Sequence, residues 1–315
     1  MNSETTFKFL RIMALIVVIS YVLDKIVFYT FNKISDKVMT GQAIGKLNHF
    51  LSKKDSVDFI VFGNSRANRH IDVRVLNSNS FNMGMDGVGI AYNSALIGTL
   101  RNTHKQVVVV HIDTKNFFDN DYDGSDITSL KTKYKRNASI TKVLEESGQL
   151  SVFQKFYRSI NYNGNTIGIL KNIVRPSYNF RTYYGYDPIT IHESQTFMRD
   201  QVLLRVNSTE DCENDYKINT VALKYLETIA AFAHRTPNKT FIFVTSPLYH
   251  DSCDIDNIKL ASLMDSLDLT YWDYTNLYKD TKNKSYWKDA THMTKNGAEA
   301  FSNYLNVQLK ANHSF

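Results

Sequence analysis

Apolar residues cluster unevenly along the chain, and the first cluster is at the amino terminus. Ile12-Met13-Ala14-Leu15-Ile16-Val17-Val18-Ile19-Ser20-Tyr21-Val22-Leu23 follows Phe9-Leu10-Arg11. At about 1.5 Å rise per residue these positions alone fall short of roughly 30 Å of hydrocarbon. A membrane span must therefore borrow Phe9-Leu10 or continue through Ile26-Val27-Phe28-Tyr29. Asp24 and Lys25 interrupt that extension near one end, where Lys25 would snorkel and Asp24 would meet headgroups. Tyr21, Phe28 and Tyr29 suit an aromatic belt. Further on, Ile34, Val38, Ile44, Leu47 and Leu51 recur at roughly helical spacing, which predicts an amphipathic connector.

From Ser56 onward, apolar runs of strand length alternate with helical patterns. Strands are predicted at 57–62, near 80–83, at 106–112, at 240–245 and near 269–272, with helices over about 90–102, 217–235, 255–267 and 294–310. The run Gln106-Val107-Val108-Val109-Val110-His111-Ile112 is apolar almost throughout, as a parallel strand covered on both faces would be. The pattern is α/β with a largely parallel sheet. Between about 117 and 215 the alternation gives way to a stretch rich in Tyr, Asn, Ser and charge, including Tyr178-Asn179-Phe180-Arg181-Thr182-Tyr183-Tyr184-Gly185-Tyr186. A structureless loop of that length is improbable in a compact domain, so a mainly helical insertion is expected, placed to form a lid or substrate wall. The predicted organisation is an anchor over 1–33, a connector over 34–55, and an α/β domain over 56–315 carrying an insertion at about 117–215.

Composition narrows the class. Of 315 residues 43% are hydrophobic, while 13 Gly and 4 Pro exclude collagen-like and disordered chains. The formal charge of +6 is scattered among acidic residues and forms no basic stripe, which argues against a nucleic-acid partner. Cys212 and Cys253 cannot form a CxxC metal site; they allow one disulfide in oxidising surroundings, or two thiols. Lys8 and Arg11 before the apolar run favour a cytoplasmic amino terminus, although Lys25, Lys33 and Lys37 weaken that bias. No small-x-small cleavage site follows, so an uncleaved signal anchor is favoured over a removed signal peptide or a buried core helix. No later stretch approaches 18 apolar residues, so the remainder is expected outside the cytoplasm in one piece.

In an open α/β sheet reactive groups gather beyond the carboxyl ends of the strands. Gly63-Asn64-Ser65-Arg66 falls there, where a tight turn would expose the Ser65 hydroxyl; helix capping by Ser65 is the plainer reading. Near the other end, Asp289 and His292 lie three positions apart just before the closing helix. A serine nucleophile needs an imidazole to take its proton and a carboxylate to hold the imidazole in the right tautomer, and one loop would supply both. The plainer reading makes them a turn residue and a surface side chain.

G-x-S after the first strand with D-x-x-H before the last helix resembles the SGNH (GDSL-like) hydrolases, over about residues 56–312. The resemblance implies a three-layer α/β/α sandwich with a mainly parallel sheet. It casts Ser65 as nucleophile, His292 as general base and acid, and Asp289 as orienting carboxylate. The oxyanion donors it implies are the Ser65 amide, a glycine amide best matched by Gly87 with Gly84 as competitor, and Asn116. The chain departs from the family pattern in carrying Asn64 for the usual Asp and in lacking a glycine before Asn116, which sits slightly late. The leading helix and degenerate third block look like anchored SGNH-type proteins associated with bacterial cell-surface polysaccharides. The expected activity is ester hydrolysis on acylated carbohydrate without a cofactor. The alternatives are O-acyl transfer to polysaccharide and a silent polysaccharide- or assembly-binding module.

Other candidates are weaker. Asp119, Asp121, Asp123 and Asp126 around Gly124 read as a solvated acidic turn in preference to a calcium loop. His70 and His111 have no metal-ligand spacing. Thr245-Ser246-Pro247-Leu248 ends a strand and is expected to shape the surroundings of His292. The N-x-S/T matches at Asn137, Asn207, Asn238 and Asn283 arise readily by chance in an Asn-rich chain.

Overall fold

The computed structural model describes residues 3–206, 217–251, 253–281 and 283–312. The chain divides into two compact units: Met1–Asn48 with Leu130–Tyr178, and His49–Ser129 with Asn179–Phe315. This division differs from the boundaries expected from sequence, because residues 130–178 join the amino-terminal segment.

The second unit is α/β. Five parallel strands, β1 (Phe59–Phe62), β2 (Ser80–Asn82), β3 (Gln106–His111), β4 (Lys239–Thr245) and β5 (Tyr271–Asp273), form one sheet in the order β2-β1-β3-β4-β5. Every residue of β1 and β3 is buried, as a sheet covered on both faces requires. Alternate residues Phe59, Val61, Val107, Val109, Ile242 and Val244 pack with Ala67, Ile71, Val73, Phe301 and Leu305 from the helices Ser65–His70, Val73–Leu76 and Lys295–Ala311. Their neighbours Ile60, Phe62, Val108, Val110 and Phe243 are equally buried and point to the opposite face. The aromatic stretch beyond Tyr178 is largely structural. Phe180 and Tyr186 are buried, Tyr183 lies beside the Arg74 guanidinium, and the Tyr184 carbonyl accepts from Asn82 N–H (2.8 Å) at the end of edge strand β2.

The first unit is built on a 34-residue helix, Ser3–Asp36, which is long and apolar enough to cross a membrane. One side of its second half faces protein. Asp24 is buried rather than turned to headgroups: its carboxylate accepts from the amides of Arg158 (3.0 Å) and Ser159 (2.8 Å) and pairs with Lys25 (2.7 Å). One turn of helix later Phe28, Phe31 and Ile34 pack with Val38, Ile44, Tyr162 and Ile169. Tyr162 donates its hydroxyl to Asn32 Oδ1 (2.6 Å), and Asp36 meets Lys133 and Arg136. These polar partners, about a hundred residues or more away in sequence, explain why the expected insertion is split. The expected connector is split as well: the first helix stops at Asp36, Gly41 turns the chain with φ +76°, and a second helix runs over Ile44–Lys53.

Candidate active site

The site lies wholly within the sheet-bearing unit, beyond the carboxyl ends of β1, β3 and β4. The turn after β1 needs Gly63, whose φ of +149° is open to glycine and whose missing Cβ would stand 2.6 Å from Ala67 Cβ and 2.7 Å from His111 Cβ. Asn64 then caps the short helix Ser65–His70 by accepting from Arg66 N–H (2.9 Å). Because Asn64 does the capping, the Ser65 hydroxyl is available for another partner. The same Asn64 side chain donates to Asp113 Oδ2 (2.7 Å), tying the turn after β1 to the turn after β3.

His292 is that partner. Its Nε2 lies 3.0 Å from Ser65 Oγ, and its Nδ1 lies 3.1 and 3.2 Å from the two carboxylate oxygens of Asp289. Sequence separation 227 is thus closed into a linear Ser–His–Asp arrangement, all three side chains half-buried. Asp289 also accepts from the amides of Thr291 (3.0 Å) and His292 (2.8 Å), so the loop folds around its own carboxylate. Burial works to raise the Asp289 pKa, but the His292 ring and these two amides outweigh it and hold the carboxyl well below the usual range. Asp289 therefore stays ionised at any ordinary pH. An imidazole held by a carboxylate on one side and a hydroxyl on the other can take the hydroxyl proton and return it to a leaving group.

A further set of residues fixes the loop: the Thr245-Ser246-Pro247-Leu248 segment was expected near His292, while His70 and His111 had no such role assigned from sequence. Met293 N–H, next to His292, donates to His70 Nε2 (3.0 Å). His70 Nδ1 therefore carries the proton and donates to Ser246 Oγ (2.8 Å), which donates in turn to His111 Nε2 (2.9 Å). Ser246 N–H also points at His111 Nε2 (3.3 Å), and Arg66 donates to the Ser246 carbonyl. The loop after β4 is stitched to the loop that carries Asp289 and His292 by Tyr249 N–H to Ala290 O (3.1 Å). Burial, then the nearby Arg66 charge, pushes the pKa of both His70 and His111 well below the ordinary value, so both are neutral. No metal spacing marks these histidines in the sequence; the available signal is topological, since His111 ends β3 and Ser246 follows β4.

The predicted oxyanion donors are not brought together to the same degree. The Ser65 amide is at the first turn of its helix, where N–H groups have no intrahelical acceptor. Gly87 follows β2 in a turn at φ +73°, with open space where a Cβ would stand. The competing Gly84 donates its N–H to Asn82 Oδ1 (2.8 Å), and a Cβ there would meet the Asn68 backbone at 2.5 Å. Asn116 lies in the helix Lys115–Phe118 after β3, and its side chain is outside the described residues. Cys253 is disulfide-bonded; Cys212, the other cysteine of the chain, is outside the described residues. Within the acidic turn Asp126 accepts from Gly89 N–H, Tyr92 N–H and the Tyr122 hydroxyl, which fixes the start of the helix Ile90–Ile97.

Among known proteins, no family model and no curated sequence matches the chain.

Proposed function

We propose that this protein is a membrane-anchored, extracytoplasmic serine esterase of SGNH type, with a three-layer α/β/α domain, that removes acyl groups from cell-surface carbohydrate. One observation carries the reading: Ser65 Oγ, the His292 ring and the Asp289 carboxylate stand in line at 3.0 and 3.1 Å. A silent binding module has no use for that alignment. The strand order supports it too, since β1 and β3 flank the point where such a sheet reverses and ligands bind outside the strand ends.

In the proposed reaction His292 Nε2 takes the Ser65 proton as Oγ attacks the ester carbonyl. The oxyanion is met by the amides of Ser65 and Gly87 and by Asn116. Collapse expels the sugar oxygen, which takes the proton from His292, and leaves an acyl group on Ser65. Water then gives a proton to His292, attacks the acyl carbon, and releases the carboxylic acid as Oγ recovers its proton. Asp289 keeps Nδ1 protonated throughout, and no cofactor takes part. The apolar helix behind Lys8 and Arg11 supports the anchor, and the Cys253 disulfide suits an oxidising compartment. The choice of carbohydrate rests on that placement.

The test is fluorophosphonate labelling and p-nitrophenyl acetate turnover by the full chain, then acetate release from an O-acetylated oligosaccharide. Both reactions are expected to vanish in Ser65→Ala and in His292→Ala. Undiminished labelling of Ser65→Ala would overturn the assignment, and a folded wild type that never labels would overturn the enzyme reading.

A further inference from the structure

We propose that the helices Val152–Phe156 and Thr166–Val174 form a second, interfacial membrane contact that lies on the bilayer surface beside the point where the amino-terminal helix emerges. The inference rests on the reading of that helix as a membrane anchor and goes beyond the esterase chemistry.

The first observation is an apolar face without a cover among the described residues. On Val152–Phe156 nothing is buried: Val152 is 81% exposed, Phe153 71% and Phe156 45%, all within one arc of the helix. On Thr166–Val174 only Ile169 is buried, while Ile167 (81%), Leu170 (47%) and Val174 (85%) follow i, i+3, i+7 spacing along the outer face. A soluble surface seldom carries so many large apolar side chains together.

The second observation says what covers this face: on Val152–Phe156 it continues the apolar surface of the anchor, while Ile169 seats Thr166–Val174 against Phe28, Phe31 and Ile34 of the same helix. Tyr21 packs on Phe156 with ring centroids 4.9 Å apart, Ser20 Oγ meets the Tyr157 hydroxyl (2.9 Å), and Lys25 Nζ donates to the Phe156 carbonyl (2.6 Å). These contacts fall at the end of the apolar run, where the fifteen residues from Phe9 to Leu23 have crossed roughly 22 Å, most of the hydrocarbon. The short helix thus leaves the anchor at headgroup depth. An apolar groove of about 620 Å³ runs along the same stretch of the anchor, lined by Tyr21, Ile26, Tyr29, Lys25 and Arg158. Apolar side chains flanked by Lys25, Lys155, Arg158 and Lys171 are the composition of an interfacial segment.

The test uses the full chain with one added tryptophan, in mixed phosphatidylcholine–phosphatidylglycerol nanodiscs whose phosphatidylcholine is brominated on its acyl chains. Emission from Phe153→Trp, Ile167→Trp and Leu15→Trp is compared with that of wild type, which supplies the Trp272 and Trp287 background. All three are expected to be quenched, Phe153→Trp and Ile167→Trp most by bromine near the headgroups and Leu15→Trp most by bromine deep in the chains. Quenching of Leu15→Trp without quenching at the other two overturns this inference alone and hands the apolar face to a protein partner. Absence of quenching at Leu15→Trp overturns the anchor and this inference with it. All three positions are highly exposed, so the substitutions leave the packing intact.

Discussion

Ser65, His292 and Asp289 would perform badly if the imidazole were free to swing, and Asp289 restrains it from one side only. The other restraint is the amide of Met293, which His70 receives on Nε2 because its Nδ1 proton is committed to Ser246. His70 also sets its ring edge-on to the His292 ring, centroids 6.4 Å apart, and in the proposed reaction it is a positioning residue that keeps the loop in register. Replacing it leaves the triad side chains in place but unsettles the loop, and a misplacement of about 1 Å can cost about 10²-fold in rate. His70→Ala is therefore expected to lower kcat on p-nitrophenyl acetate by about 10- to 100-fold with KM little changed. A split of kcat from KM distinguishes positioning from general loosening, and an unchanged kcat would assign the whole restraint to Asp289. Ser65, Asp289 and His292 were legible from sequence through the joint occurrence of two local motifs, each weak on its own. The roles of His70 and His111 were not, since their spacing means nothing until β3, β4 and the helix Ser65–His70 converge.

At the scale of elements, the turn after β1 is what aims Ser65. Gly63 permits it twice, by its positive φ and by leaving room for Ala67 and His111. A methyl group at this position meets two Cβ atoms on different elements, one of them on the residue that ends β3. Gly63→Ala is accordingly expected to cost about 2–4 kcal/mol through backbone strain and overpacking. It should also reduce fluorophosphonate labelling of the protein that remains folded, read from the urea midpoint and from labelling in the same samples. A variant as stable as wild type would show that the turn can relax. The strands β1, β3 and β4 were visible in the sequence because unbroken apolar runs leave few other options. The partition of residues 117–215 was not, because Asp24, Asn32 and Asp36 find their partners in 130–178, at separations that no periodicity registers. Asp113, which sequence reasoning did not single out, ties the β3 end to the turn that carries Ser65.

For the molecule as a whole, two buried neutral histidines beneath the site make stability depend on pH in one direction. His70 and His111 have folded pKa values well below the ordinary 6.5, so the unfolded chain binds protons that the folded chain refuses. Stability then rises with pH wherever the unfolded state holds more protons, and it falls as pH drops below about 6.5. Each histidine contributes a slope of at most about 1.4 kcal/mol per pH unit in that window. Asp289 acts on a separate range: its folded pKa is depressed, so its contribution is present above the ordinary carboxylate value of 3.8 and is lost only in stronger acid. Between pH 7.5 and 5 the slope therefore belongs to the histidines. Trp287, buried and bridged to Met293 beside the site, reports the unfolding of this unit by its emission. The urea midpoint is expected to be flat above pH 7 and to decline steadily toward pH 5, with a shallower decline in His111→Gln, whose amide can still accept from Ser246. A midpoint independent of pH over that interval would mean that these histidines take up protons in the folded protein, and the neutral Met293–His70–Ser246–His111 chain would have to be abandoned.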